Sequence, residues 1–294
     1  MTTELWIDIA HPTPERLQGL GLHPLIIDDI LKGGQRTKIE RYESGVFFVF
    51  YALSYHGRNK QKLHSVPIYL FVTTTQMLTI HHGELEVIGD ARQRWDSMNG
   101  LQSVSVAGLL HVVLDTIVDS YFPMLDHIGD LVETLETEML VWAQAHQLRE
   151  IVHLKRMLLT IRRQIAPARE ALNALLRGDL LVLDAAAFTH MQDVYDHVLR
   201  IVDAIDLHRD LLATVLDVHL SVQSNRLNQV MKVLTMASII LMVNSLVAGI
   251  YGMNFSVMPE LQWSWGYPFA LAVMGVASAV LLWFFRRQGW WGEE

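Results

Sequence analysis

Up to about residue 90 the apolar positions come in short runs rich in Val, Phe, Tyr, Ile and Thr. GVFFVFYALSY (Gly45 to Tyr55) and VPIYLFVTTTQMLTIHHG (Val66 to Gly83) are bounded by Gly, Asn or Pro, which predicts strands. Between them and the N-terminus, HPLIIDDILKGGQ predicts one or two helical turns closed by Gly33 and Gly34. From about Ser103 the apolar positions recur at three and four, with Asp126, Asp130, Glu133 and Glu136 on the other side, so the pattern becomes helical. Pro123 predicts a kink or a break in this stretch. A second helical run, Leu148 to Leu176, is basic early on in HLKRMLLTIRRQ and is expected to lie antiparallel against the acidic one. After the break at RGDLLVLDA no Pro or strong Gly signal occurs from about Ala185 to Gly249. Sixty-odd uninterrupted residues at about 1.5 Å each predict a helix near 100 Å long, one that leaves the N-terminal domain and enters a membrane.

Two stretches, Val233 to Tyr251 and Tyr267 to Phe285, each hold about nineteen residues without a formal charge, close to the span of a bilayer core. The loop between them has no Lys or Arg, whereas Arg226 and Lys232 precede the first stretch and Arg286 and Arg287 follow the second. By the positive-inside rule both ends are cytoplasmic and the loop faces out. Trp263, Trp265 and Tyr267 are expected at one interface, and Trp283, Trp290 and Trp291 at the other. This reading divides the chain into an N-terminal α/β cytoplasmic domain (1–102), an antiparallel helical pair (103–184) and a long stalk helix continuing into the first transmembrane helix (185–251). An extracytoplasmic loop (252–266), the second transmembrane helix (267–285) and a cytoplasmic tail (286–294) follow.

Composition sharpens this picture. The 294 residues are 51% hydrophobic, and the excess lies almost wholly in the last sixty or so. The N-terminus has no basic segment followed by an apolar core, so no secretory signal is expected there. With no cysteine, a bound metal would be met by nitrogen or oxygen donors. A net charge of -8 and the lack of a Lys/Arg cluster argue against nucleic acid and weakly favour a cationic partner. No phosphate loop, G-x-S-x-G or H-E-x-x-H occurs, so no enzymatic activity and no ATP-driven pumping are expected. Of the 14 histidines only His81 and His82 are adjacent, and neighbouring strand residues point to opposite faces, so core or surface roles fit them better than a zinc site.

The first membrane stretch carries a pattern of its own. Asn228, Met231, Thr235, Ser238, Met242, Ser245 and Gly249 follow one another at steps of three and four, placing a small and polar stripe on one face of an otherwise Leu, Ile and Val helix. Such a stripe means either close packing against another helix or the wall of an aqueous path. Two membrane helices cannot enclose a pore, so a path would need a ring of copies, with first helices inside and second helices outside. Asn244 lies one residue off the stripe and is expected to bond between helices.

NQVMKVLT leading through the span to AGIYGMNF, followed by MPELQWSWGYP, resembles the C-terminal signature of the CorA magnesium transporter family. Weaker similarity runs upstream through HPLIIDDIL, QRTKIERYESGVFFVFY, VDSYF, VHLKR and MQDVYDHV, in the same order. The resemblance implies a funnel-shaped homopentamer in the inner (plasma) membrane of a prokaryote, taking up Mg²⁺ downhill and, being of similar size, Co²⁺ or Ni²⁺. It implies a pore mouth at Gly252, Met253 and Asn254, and a pore lining of Asn228, Met231, Thr235, Met242, Ser245 and Gly249. It further implies that Mg²⁺ is a regulatory ligand as well as cargo, bridging subunits through Asp29 and Asp193 to close the channel, with Asp28 adjacent to the first. A pore mouth of neutral amides suits Mg²⁺, which sheds water reluctantly and is held through its hydration shell. Gly252 is expected to permit a tight chain reversal. ZntB-like Zn²⁺ transporters are the neighbouring branch, from which Met253 departs, and a non-conducting metal sensor anchored in the membrane is the remaining alternative. The chain also departs from the family in its tail, FFRRQGWWGEE, where a longer run of Lys is usual.

Overall fold

A computed structural model describes residues 5–55, 63–98, 105–141, 145–178, 185–254, 256 and 258–290; Trp291, Glu293 and Glu294 of the tail lie outside them. The chain divides into two compact units, Met1–Leu216 and Asp217–Glu294. The first is built on a five-stranded sheet of β1 (Trp6–Ile9), β2 (Lys38–Tyr42), β3 (Gly45–Tyr55), β4 (Leu63–Val72) and β5 (Met77–His81), in the order β1-β5-β4-β3-β2. β1 runs parallel to β5 and the other pairs are antiparallel. The two apolar runs of the sequence pair with each other, Val46 opposite Val72 through Tyr55 opposite Leu63. Gly45 is required at the start of β3, because a Cβ there would lie 2.5 Å from the carbonyl oxygen of Val72. Consecutive residues Phe47, Phe48, Val49 and Phe50 are all buried, so both faces of β3 are covered. Each such large side chain contributes about 1.5–3 kcal/mol by leaving water.

Among the described residues seven helices accompany this sheet, α1 (Pro14–Gln18), α2 (Pro24–Lys32), α3 (Glu86–Met98), α4 (Val106–Asp119), α5 (Tyr121–Val141), α6 (Ala145–Leu176) and α7 (Ala185–Tyr251), the last running on into the second unit. Ser105 caps α4, its hydroxyl accepting from Gly108 N–H at 3.0 Å. The chain breaks at Ser120, so Pro123 falls in the first turn of α5, where a missing N–H costs no helical hydrogen bond. It marks the break and produces no kink within a single helix. α5 and α6 meet through buried residues such as Ile128, Val132, Leu154 and Leu158. Within the basic run of α6, Arg162 forms a two-pronged pair with Asp206 of α7, at 2.8 and 3.2 Å.

His81 is buried at the end of β5, its Nε2 3.2 Å from Asp8 and its Nδ1 2.7 Å from the Gly83 carbonyl, whereas His82 is exposed. Burial alone would lower the His81 pKa, but the hydrogen bond and charge of Asp8 outweigh it and raise it. The pair ties β1 to β5, a structural task for both residues.

In the second unit, the C-terminal part of α7 is followed by a 3₁₀ turn (Pro259–Gln262) and α8 (Gly266–Arg287). Among the described residues three helical stretches are long and apolar enough to cross a membrane, Val106–Met139, Ala185–Tyr251 and Gly266–Arg287. Half of the apolar window of the first, 50%, is buried within the protein, against 6% for the other two. The first is therefore the core of the N-terminal unit, and the exposed apolar surface of the other two needs lipid or further protein around it.

Candidate functional site

Most of the small and polar stripe of α7 is exposed. Asn228, Met231, Met242, Ser245 and Gly249 are exposed, Met231 by 57% and Met242 by 68%, and Thr235 is half-buried. On the same helix Met236 is buried and Ile239, Ile240, Val243, Asn244 and Val247 are half-buried. At about 100° per residue these lie on the side roughly opposite the stripe. A helix covered on one side by its own chain thus presents the uncharged polar residues on the other.

α7 ends at Tyr251. The Gly252 N–H donates to the Ala248 carbonyl at 2.9 Å and the Met253 N–H to Ile250 at 3.2 Å, so the last turn tightens rather than frays. Gly252 does not adopt left-handed backbone; a Cβ there would sit 3.2 Å from the Ala248 oxygen, a tight fit in the final turn. The close approach that strictly needs glycine comes at Gly266, where a Cβ would collide with the Glu260 carbonyl. Met253 and Asn254 are exposed beyond the helix end. Trp263, Trp265 and Tyr267 are exposed near the start of α8, and Trp283 near its end lies 5.5 Å from the Arg287 guanidinium.

The two candidate regulatory acids take different partners. Asp29 is 19% exposed, with Oδ2 2.9 Å from Lys38 Nζ and Oδ1 accepting from Gln35 at 2.9 Å. Its neighbour Asp28 is 51% exposed and pairs with Lys32 one turn on, at 2.7 Å. Asp193 is 64% exposed, one oxygen 3.8 Å from Nε2 of His197. The other ring nitrogen of His197 lies 3.0 Å from Asp119 and 3.8 Å from Asp115.

Asp115, Asp119 and His197 therefore form a donor cluster whose ligand atoms all lie within 4.8 Å of one another. Asp115 Oδ1 is buried and has no hydrogen-bond partner, while its Oδ2 holds Arg94 at 2.6 Å. Beside the cluster the rings of His111 and His190 are 4.6 Å apart. Burial lowers the His111 pKa, with the His190 and Arg94 charges adding to that and Asp115 and Asp193 opposing it. The sequence reading found Asp193 alone. The usable signal was the repeated spacing of four, Asp115 to Asp119 and Asp193 to His197, which puts each pair on one helix face.

The sequence model of the family described as "CorA-like Mg2+ transporter protein" matches residues 3–287. The chain belongs to this CorA-like family. It is 37% identical to the cobalt/magnesium transport protein CorA of Thermotoga maritima, over 98% of this chain and 84% of that protein. The complete structure of the CorA magnesium transporter from Methanocaldococcus jannaschii superposes with a TM-score of 0.85 at 25% identity, covering 97% of this chain and 90% of that one. The cytoplasmic domain of ZntB from Vibrio parahaemolyticus matches at a TM-score of 0.61, 14% identity, 75% of this chain and 88% of that one, a likeness of fold.

In this CorA-like chain Asn244 meets the expectation set by its position. Its amide donates to Ser278 Oγ of α8 at 3.1 Å, and the Ser278 hydroxyl lies 3.4 Å from Asn244 Oδ1. Hydrogen bonds between membrane helices contribute about 0.6 kcal/mol on average and up to roughly 1.7. Asn244→Leu and Ser278→Ala should each destabilise the protein within that range, and the double variant should be no worse than the poorer single one. Unfolding in detergent measures this; additive losses would mean the two side chains act independently.

Proposed function

We propose that five copies of this chain form a funnel-shaped, CorA-like channel through which Mg²⁺ enters the cell downhill, driven by its gradient and the negative interior. The observation that carries this reading is the exposed stripe of α7, on the side away from α8. A membrane helix whose own partner covers its apolar back leaves the polar face to an aqueous path or to neighbouring copies, and in a ring it has both. Asn228, Met231, Thr235, Met242, Ser245 and Gly249 then line the path, α8 faces lipid, and Gly252, Met253 and Asn254 form the outer mouth. Five Asn254 amides accept hydrogen bonds from the water around the ion and hold it without stripping it, whereas carboxylates would retain it. The setting is the inner (plasma) membrane of a prokaryote, with both termini cytoplasmic, as the Arg and Lys flanks imply.

For regulation, the reading is that internal Mg²⁺ binds between subunits at Asp29 and Asp193 and favours the closed pentamer, so that depletion opens it. The residues fit an ion to different degrees. Asp193 is open to a neighbour and lies 3.8 Å from Nε2 of His197, whose other ring nitrogen faces the carboxylates of Asp115 and Asp119. Asp29 is already engaged by Lys38 and Gln35. The nitrogen of His197 suits Co²⁺, Ni²⁺ or Zn²⁺ better than Mg²⁺, which favours a borderline ion at that cluster and keeps a ZntB-like Zn²⁺ activity as the second reading.

The test is Mg²⁺ entry into sealed vesicles holding the purified protein, followed with a trapped indicator, with Zn²⁺ and Co²⁺ run in parallel. Mg²⁺ uptake that stops when the interior is preloaded is the expected result. Zn²⁺ uptake alone would move the chain to the zinc reading, and no flux of any ion would leave a membrane-anchored sensor.

A further inference from the structure

The segment KGGQRTK turns a short helix back on itself. α2 ends at Lys32, and Gly33 and Gly34 follow with φ of 65° and 72°, a left-handed pair that side chains other than glycine rarely allow. The reversal lays residues 35 to 38 alongside α2. Tyr51 donates to the Gln35 carbonyl and Tyr69 to the Asp29 carbonyl at 3.4 Å, while Lys38 is fixed in β2 opposite Val49. Lys38 is therefore not a loose surface lysine. Its side chain is 25% exposed, and its ammonium touches two carboxylates at once, Asp29 at 2.9 Å and Glu40 at 2.9 Å. Tyr42 donates to the same Glu40 oxygen at 3.1 Å. The contrast with the adjacent pair is plain: Lys32 and Asp28 are 72% and 51% exposed, where an ion pair contributes little.

We propose that the Lys38 ammonium is a tethered competitor of the regulatory ion: it holds the position between Asp29 and Glu40 that a divalent cation would take, and its displacement sets the Mg²⁺ concentration at which the channel closes. This rests on the reading that Asp29 binds the regulatory ion. A monovalent cation covalently supplied to two acids is always present, so a free divalent ion must exceed it by charge and by concentration. Removing the ammonium leaves two negative groups facing one space, which raises the affinity of that space for Mg²⁺. The tether thus moves the response toward higher internal Mg²⁺ without contributing a ligand.

The experiment uses the full-length protein in detergent and follows its resistance to limited proteolysis as MgCl₂ is titrated. Lys38→Gln and Lys38→Met, which keep much of the stem and remove the charge, should lower the half-protecting Mg²⁺ concentration at least threefold. Lys38→Arg should stay within twofold of the parent, as should Lys32→Gln. Asp29→Asn should raise the half-protecting concentration, and adding Lys38→Gln to it should change nothing further. If Asp29→Asn shifts the curve while Lys38→Gln and Lys38→Met do not, Lys38 is no competitor and the Asp29 assignment stands. If Asp29→Asn leaves the curve unmoved, the Asp29 assignment itself fails, and the role of Lys38 with it. A shift to higher Mg²⁺ in both uncharged variants overturns the proposal in favour of Lys38 as a support that positions Asp29.

Discussion

Asn254→Ala is expected to abolish Mg²⁺ entry into vesicles while the assembled protein elutes at the same size as the parent. Asn254 is exposed beyond the end of α7, so its side chain contributes little to the fold, and loss of flux without loss of assembly isolates its effect on the ion. The amide offers an uncharged oxygen to a hydration shell, and in the proposed pentamer a ring of such groups would replace part of the bulk solvent that Mg²⁺ leaves at the mouth. Alanine supplies no acceptor. Asn254→Asp should give the opposite fault, half-saturation at lower Mg²⁺ together with a lower maximal rate. Even in bulk water each carboxylate about 4 Å from a unit charge attracts it by ~1 kcal/mol, and several acting on a divalent ion slow its release. Normal uptake by the alanine variant would remove Asn254 from the pathway.

The second large effect is expected at the gate. Asp193→Lys should let vesicles preloaded with Mg²⁺ continue to take it up, where the parent protein stops. Asp193 is 64% exposed and its contact with His197 is long, 3.8 Å, so the substitution leaves the N-terminal unit folded. On the proposed reading, lysine would put a positive charge where the bridging ion is to bind and remove that ion's preference for the closed arrangement. Coupling between a ligand and a conformational change is typically 5- to 150-fold, and a shift in the inhibiting internal concentration within roughly that range is the expected reading. Asp193→Asn, which removes the charge without reversing it, should fall between the two. Inhibition unchanged in both variants would take Asp193 out of the gate and return attention to Asp115, Asp119 and His197.

Much of this was legible in the chain because it depends on local periodicity. Period 3.6 with no Pro, and no Gly before Gly249, specifies one helix, and α7 runs without a break from Ala185 to Tyr251. The same period aligns Asn228, Met231, Thr235, Met242, Ser245 and Gly249 on a face before any neighbour is known, and their uncharged polar chemistry sets what that face can meet. Charge-free stretches of bilayer length, and basic residues only at their outer ends, are likewise written in order along the sequence.

What only the tertiary structure decided are contacts between residues far apart in the chain, which no local pattern encodes. Asn244 and Ser278 meet because α8 comes alongside α7 across 34 positions of the chain. Arg162 finds Asp206 across 44 positions. Asp115 and Asp119 of α4 meet His197 of α7, one turn on from Asp193, and Asp29, alike in sequence to Asp28, is the one held by Lys38. Gly252, expected to permit a chain reversal, keeps ordinary backbone, and the tight approach comes instead at Gly266, the first residue of α8, against the Glu260 carbonyl of the 3₁₀ turn. Periodicity sets which residues share a face; which atoms they meet is fixed by how the elements pack, and there a difference of one residue decides which carboxylate meets Lys38 of the sheet and which pairs with Lys32 at the surface.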